Sequence, residues 1–370
     1  MKARDILLDD ETLFKDEEVF TPSYVPEDFL HRDSQIKEIT LSLKPGLRGV
    51  NPVNTLVHGP CGTGKTTAIK YIFNEVNQAS SKLVTVYVNC EDHNTRFGIF
   101  SKIHEILFGV SPPDTGKPLN AVKEKVFRKL SKENKSLVVA LDEIDQLFLN
   151  QTVDKLLMDL LKAHTTYGYD RVGVVGILVD RSVMADLDQK AKSVFNPIEV
   201  FFPPYSLSEV EDILATRVRY GLYDSVLSKK LFAEIASKTY DVGDLRFGID
   251  LIRRSALFAE QDSVRKIDSE HVEKAFGTSK DKKFEQILNS LDASERKFME
   301  ILVGTGPVRS GDLYVKYREK TGSGVKKYNQ LISKLEHVGL IETMPLPGRG
   351  QSREIKTRYD LDNVREILGL

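Results

Sequence analysis

The sequence predicts an α/β chain in three parts. A parallel-sheet domain with a phosphate-binding loop spans residues 21–205, a small all-α domain spans 206–276, and a winged-helix domain spans 284–370. Three observations predict this. A glycine-rich segment, Gly59-Pro60-Cys61-Gly62-Thr63-Gly64-Lys65-Thr66-Thr67, follows the short apolar run Thr55–His58 and precedes a stretch with helical apolar spacing, 68–76. Short apolar runs alternate with helical periods as far as Tyr205, and only helical periods follow from Ser206. Residues 284–370 then read as three short helices and two alternating runs around a basic, glycine-rich tip.

Residues 1–20 are acidic without a clean amphipathic period and are expected to be a flexible lead-in. Thr21–Pro26 is extended, because each proline biases the residue before it away from helix. A helical pattern opens at His31-Arg32-Asp33 and runs through Ile36, Ile39, Thr40 and Leu43, either to wrap a base or simply to pack.

The strand–loop–helix order around Gly59–Thr67 matches G-x-x-x-x-G-K-[ST]. Pro60, Cys61, Gly62, Thr63, Gly64, Lys65, Thr66 and Thr67 are read as a phosphate cradle, in which glycines let backbone N–H groups converge on phosphate oxygens at a helix N-terminus. Lys65 is expected to reach the outer phosphates, and the Thr66 hydroxyl to ligate Mg²⁺. The next strand is Leu83–Asn89. Helical stretches over Phe97–Phe108 and Leu119–Leu130, broken at 111–116, read as an insertion: lid, partner surface, DNA contact or plain packing.

Ser136–Asp145 is an apolar strand ending in Asp142-Glu143, so it delivers two carboxylates to the C-terminal edge of the sheet. Asp142 is expected to hold Mg²⁺ through water, and Glu143 to orient and polarise the attacking water. A helix over Thr152–His164 and strands over Arg171–Val179 and Phe195–Phe202 continue the alternation.

The all-α part has helical stripes over 207–220, 228–240, 244–260 and 268–276, with Ser228, Asp244 and Asp268 as N-caps. Arg246 sits near a helix start; it either bridges back to a γ-phosphate or forms a surface ion pair. Residues 277–283 read as a linker. In the last part, helices over Asp292–Val303, Ser310–Glu319 and Gly324–His337 precede strands over Leu340–Thr343 and Glu354–Leu361. Lys326, Lys327, Tyr328 and Gln330 lie in the N-terminal half of the third helix, where base edges are reached. Arg349 and Arg353, at the tip, are expected to follow a minor groove or the backbone.

The chain has 370 residues with 41% apolar and 29% charged residues, an ordinary soluble composition. No apolar run approaches membrane-spanning length, and the acidic N-terminus is unlike a signal peptide. Cys61 and Cys90 have no metal or redox spacing; Cys61 reads as a loop residue and Cys90 as buried. The net charge of −1 hides an uneven distribution: residues 1–28 hold three Lys/Arg against nine Asp/Glu, and residues 320–358 hold eight against three.

Taken together, these motifs resemble the archaeal replication initiators of the origin-recognition and helicase-loader AAA+ ATPase family. The resemblance rests on Tyr24-Val25-Pro26 with His31-Arg32, on the phosphate loop, on Leu141-Asp142-Glu143-Ile144-Asp145, on Phe202-Pro203-Pro204-Tyr205, on Gly243-Asp244-Leu245-Arg246 and on the winged helix. It implies an AAA+ domain with a helical lid that binds ATP or ADP with Mg²⁺. Tyr24, Val25, Pro26 and Tyr205 would lie near the adenine, and Arg246 would be the sensor arginine of the lid. The 97–116 insertion would contact DNA. The winged helix would bind double-stranded DNA at replication origins, and the core would help load the replicative helicase, with other initiator copies as possible partners and the nucleoid in the cytoplasm as its place. Two positions depart from the family pattern. Val179 stands where an Asn senses the γ-phosphate, and Lys190 stands where an arginine finger is usual. Lysine lacks the planar fork of arginine, so weak hydrolysis and a tendency to retain ADP are expected. The alternatives are an AAA+ switch acting mainly on protein partners and a nucleotide-dependent transcription regulator.

Overall fold

A computed structural model describes residues 12–112, 118–277, 288, 290–338, 340–345, 353–357 and 361–369. The chain falls into two compact units, residues 1–272 and 273–370.

The first unit is built on five parallel strands: β1 (Thr55–His58), β2 (Leu83–Asn89), β3 (Ser136–Asp142), β4 (Val172–Leu178) and β5 (Ile198–Phe201), in the order β2-β3-β4-β1-β5. All seven residues of β3 are buried, as are all seven of β4, which is why both read as unbroken apolar runs. Alternate residues feed the two faces. Leu137, Val139 and Leu141 enter one core with Phe100, Phe127 and Leu156, whereas Val138 and Ala140 enter the other with Ile39, Ile69 and Ile72. Helices Asp33–Leu47 and Lys65–Ala79 cover the second face.

The insertion forms helices Arg96–Phe108 and Leu119–Lys132, which pack together through Phe100 and Phe127, 6.0 Å between ring centres. Asp159 ties both helices to the domain by pairing with Arg96 and, at 2.9 Å, with Lys123. The single helix expected over 152–164 is two, Val153–Leu161 and Ala163–Tyr167. Phe195 ends helix Gln189–Phe195, so β5 starts later than its apolar run suggests.

Helices Leu207–Gly221, Lys229–Val242 and Leu245–Gln261 form the all-α lid, with a further helix over 269–277. Ser228, Asp244 and Asp268 each accept backbone N–H groups at a helix start.

Residues 12–20 correct the reading of 1–20 as a flexible lead-in; residues 1–11 lie outside the described residues. Leu13, Phe14, Val19 and Phe20 are buried. Phe14 bridges to Leu222, the Lys15 amide donates to the Gly221 carbonyl at 2.9 Å, and Arg253 pairs with Glu17 at 2.7 Å. Two apolar pairs inside an acidic stretch are too few to show as a period, yet they fill the lid surface, and the acid between them meets a lid arginine.

In the second unit, helices Ala293–Thr305, Ser310–Thr321 and Val325–His337 surround a core of Phe298, Leu302, Tyr317, Tyr328, Ile332 and Ile355. The sheet is antiparallel, with β6 (Val308–Arg309), β7 (Ile341–Pro345) and β8 (Arg353–Thr357) in the order β6-β8-β7. Two elements differ from expectation. β6 is a two-residue strand too short to register as a pattern, and Leu361 begins a final helix, Leu361–Leu368, rather than ending a strand.

Candidate functional site

The site begins where β1 ends. Gly64 caps the loop helix with φ +89°, and a Cβ there would lie 2.8 Å from the Tyr205 hydroxyl. Gly62 has φ +72°, and a Cβ there would overlap the Asp244 carboxylate of the lid. Glycine is therefore required at both positions, by backbone angle and by close approach. Lys65 is buried and donates to the Gly59 carbonyl at 2.6 Å and the Pro60 carbonyl at 2.8 Å. Burial lowers its ammonium pKa.

Parallel pairing of β2 with β3 sets Asn89 opposite Asp142 and brings the strand ends to the loop. Asp142 is buried, and its Oδ2 accepts from the Thr66 hydroxyl and from the Tyr87 hydroxyl, each at 2.7 Å. Glu143 follows with φ +54°, a left-handed turn away from β3. Such a conformation costs on the order of 1–3 kcal/mol for a non-glycine residue and is held only by its surroundings. Its side chain opens to the cleft, yet desolvation there, followed by the Glu91 and Asp142 carboxylates, pushes the Glu143 carboxyl up to about 7.

The lid closes one side. Asp244 caps helix Leu245–Gln261 and holds the Arg246 guanidinium through Nε at 3.2 Å and Nη2 at 3.1 Å. Of the two readings the sequence left open, the ion pair is present, with Asp244, and Arg246 also lines the cleft. The cleft measures about 470 Å³, within the range of small-molecule sites. Cys61, Lys65, Thr66, Asp142, Glu143 and Arg246 line its polar end, and Pro22, Pro26, Phe29, Tyr205, Ile213 and Arg217 its apolar end.

Gly62, Thr63, Gly64 and Thr67 also line the cleft. Pro60 contributes its carbonyl inside the loop, and it, Tyr24 and Val25 are not among the lining residues. Val179 follows β4 directly and lines the cleft. Lys190 is exposed on helix Gln189–Phe195 and does not reach this cleft. Cys90 is buried and Cys61 exposed.

Three contributors have no role assigned from sequence, although Arg32 belongs to one of its motifs. Arg32, only 2% exposed, donates to the Thr63 carbonyl at 3.3 Å and the Pro203 carbonyl at 2.7 Å, with its guanidinium 3.7 Å from the Tyr205 ring centre. It clamps the phosphate loop to the segment after β5. Tyr87 and Glu91 flank the carboxylates. Tyr87 is the outward residue of an alternating strand, a weak signal; Glu91 has none, because its partner is brought near only by strand pairing.

In the second unit, Lys326, Lys327 and Gln330 are exposed on helix Val325–His337. Tyr328 is a correction: it is 2% exposed, donates its hydroxyl to the Ser310 carbonyl at 2.7 Å, and packs against Phe298, Tyr314 and Tyr317. It stands on the helix face that fills the core and cannot reach a base. Arg353 lies on β8 and donates to Asn329 at 3.4 Å. Arg349 lies outside the described residues.

The chain is 42% identical to the ORC1-type DNA replication protein 2 of Methanothermobacter thermautotrophicus, over 99% of this chain and 97% of that protein. The chain belongs to the ORC1-type DNA replication protein family. The protein of the same name from Methanosarcina mazei is 40% identical over 100% of this chain and 99% of its own length. Residues 211–277 match a Cdc6 AAA+ ATPase-type lid domain, and residues 51–179 match an AAA domain. The solved structure of the Aeropyrum pernix ORC1 protein in complex with DNA matches with a TM-score of 0.70 and 26% identity, covering 97% of each chain. That of the Aeropyrum pernix ORC2 protein (ADPNP-ADP complexes) matches with a TM-score of 0.73 and 22% identity, over 96% of this chain and 98% of that one, and so shares the fold. As a member of this family, the chain is a replication initiator with an AAA+ ATPase domain under a Cdc6-type lid. No described helix is long and apolar enough to cross a membrane.

Proposed function

We propose that this initiator is an ATP/ADP-dependent switch that binds double-stranded DNA at replication origins and helps recruit or load the replicative helicase. The observation that carries the nucleotide part is the meeting of Lys65, Thr66, Asp142 and the lid residue Arg246 around one cleft. Three of these come from the α/β core and one from the lid, so a γ-phosphate touching both would bias the angle between them.

Mg²⁺ fits the residues present. The Thr66 and Asp142 oxygens lie 2.7 Å apart, and the Tyr87 hydroxyl and the Glu143 and Asp145 carboxylates line the same cleft, oxygen groups of the kind a hard cation prefers. Thr66 and Asp142 would hold the ion, whose chemistry is to neutralise charge on the phosphates. No group of three His, Cys, Asp or Glu among the described residues forms a metal cage by itself, which suits an ion completed by water and phosphate. Around it, Lys65 binds the outer phosphates, and Glu143 orients the attacking water and takes its proton.

Hydrolysis is slow in this reading. The Val179 side chain offers no hydrogen bond where the cleft meets the end of β4. Lys190 is exposed and does not line its own cleft, so it would reach only the cleft of a second copy, and it lacks the arginine fork. Rapid turnover by the purified protein with Mg²⁺ and ATP, without any partner, overturns this part.

The DNA part rests on Lys326, Lys327, Gln330 and Arg353 together with Arg349, and on the DNA complex of the Aeropyrum pernix relative. Phosphate contacts should dominate, so affinity falls steeply with salt. Footprinting of the nucleotide-bound protein on genomic fragments with competitor DNA tests it. Discrete sites clustered in one intergenic region support an origin binder; diffuse protection sinks it and favours a switch acting on proteins.

A further inference from the structure

The apolar end of the cleft contains one buried charge that the phosphate chemistry does not use. Arg217 sits on helix Leu207–Gly221, 9% exposed, and lines the cleft one turn beyond Ile213. Among the described residues no carboxylate pairs with it. Its Nη1 instead donates to the Val19 carbonyl at 2.9 Å, and its guanidinium lies 4.3 Å from the centre of the Tyr24 ring. A buried cation without an acid is expensive unless hydrogen bonds and ring faces replace its water. Here both replacements come from the stretch 19–24.

That stretch is pinned at its two ends. Upstream, Leu13, Phe14, Val19 and Phe20 are buried, with backbone bonds to Gly221 and Leu13 paired to Tyr223. Downstream, Arg32 is fixed to the Thr63 and Pro203 carbonyls. Between the pins, Pro22, Pro26 and Phe29 line the cleft. Arg217 is the tether in the middle.

We infer that Arg217 is a positioning residue for the nucleoside. It holds residues 19–24 against the lid, so that Pro22 and Pro26 become a wall of the apolar end, and it takes no part in holding phosphates. The inference rests on the cleft taking ATP or ADP, as proposed above. A role confined to the nucleoside makes an unusual demand: ADP must lose affinity while a ligand made only of phosphates does not.

The experiment compares ADP with inorganic tripolyphosphate, both with Mg²⁺, by calorimetric titration of the full chain, and follows release of a fluorescent ADP by stopped flow. Arg217→Met keeps the packing volume and removes the charge and donors. ADP affinity is expected to fall about tenfold, in line with a desolvated cation–π contact plus a charged hydrogen bond. Release should quicken by a similar factor, with tripolyphosphate affinity unchanged. Arg217→Lys should recover part of the loss, because it keeps a charge over the Tyr24 ring. Tyr24→Leu removes the ring from the other side and should give the same split; if Arg217→Met fails to fold, this variant decides alone. Unchanged ADP affinity in both variants overturns the inference, as does an equal loss for both ligands, which would mean a merely structural residue. If the wild type binds tripolyphosphate and not ADP, the nucleoside role falls while the phosphate loop stands. If it binds neither, the nucleotide reading itself has failed.

Discussion

At the polar end of the cleft, every group named except the lid residue Arg246 belongs to the α/β core. Lys65 is held by the carbonyls of its own loop, and Asp142 by Thr66 and Tyr87. The apolar end is assembled differently. Pro22 and Phe29 precede the sheet, Tyr205 follows it, and Ile213 and Arg217 belong to the lid. The first end takes all but Arg246 from the α/β core; the second exists only while the lid and residues 12–32 stay docked. Variants at the polar end should therefore remove chemistry or affinity outright, and variants at the apolar end should act through affinity and release.

The largest effect is expected from Lys65→Ala, which removes the cation facing the phosphates. ADP affinity should fall by about 100-fold, close to the roughly 3 kcal/mol of a strong charged hydrogen bond. A loss below tenfold by calorimetry would mean the polar end is not organised around this residue. Gly62→Ala comes next. A side chain there meets φ +72° and the Asp244 carboxylate, so loop and lid must separate. Nucleotide affinity should drop by about tenfold and the Tm should fall by several degrees, as a loss of one or two kcal/mol implies. Full wild-type behaviour would show that lid and loop do not touch in solution.

Titration separates the two ends further. Glu143 is raised to about 7, so its ionised, proton-accepting form is lost as pH falls through neutrality. Single-turnover hydrolysis should rise about tenfold from pH 6 to pH 8, while ADP affinity changes little. Glu91→Gln removes one of the carboxylates that raise Glu143, so the inflection should move to lower pH; a flat profile would exclude Glu143 as the base. Phe29→Leu should have the smallest effect, a roughly threefold loss of ADP affinity from reduced aromatic contact, with the hydrolysis profile unmoved.

The contrast also explains what could be read from residues alone. A phosphate loop and a strand ending in carboxylates need fixed residue types at fixed spacing, so Lys65, Thr66, Asp142 and Glu143 were recognisable without coordinates. The wall made by Pro22, Phe29 and Arg217 has no such spacing, because lid packing alone brings its pieces together. Residues 12–20 were misjudged for a related reason: acidic composition masked two apolar pairs whose complement lies two hundred residues away. Tyr328 was legible and was missed. Tyr328, Leu331, Ile332 and Leu335 follow the i, i+3, i+4, i+7 stripe of a buried helix face, and all four are buried. Lys326, Lys327 and Gln330 lie off that stripe and are exposed.

The contact between Gly62 and Asp244 has a consequence for descent as well as for binding. The two positions lie 182 residues apart in the chain, in different domains, yet the space between them admits no added atom. A lineage that enlarged position 62 could not make room by shortening position 244, because the Cα there would still lie 2.8 Å from the added atom, and the shorter residue would lose both the helix cap and the anchor of Arg246. Neither residue is free to drift alone, so these two sites should be inherited as a single character.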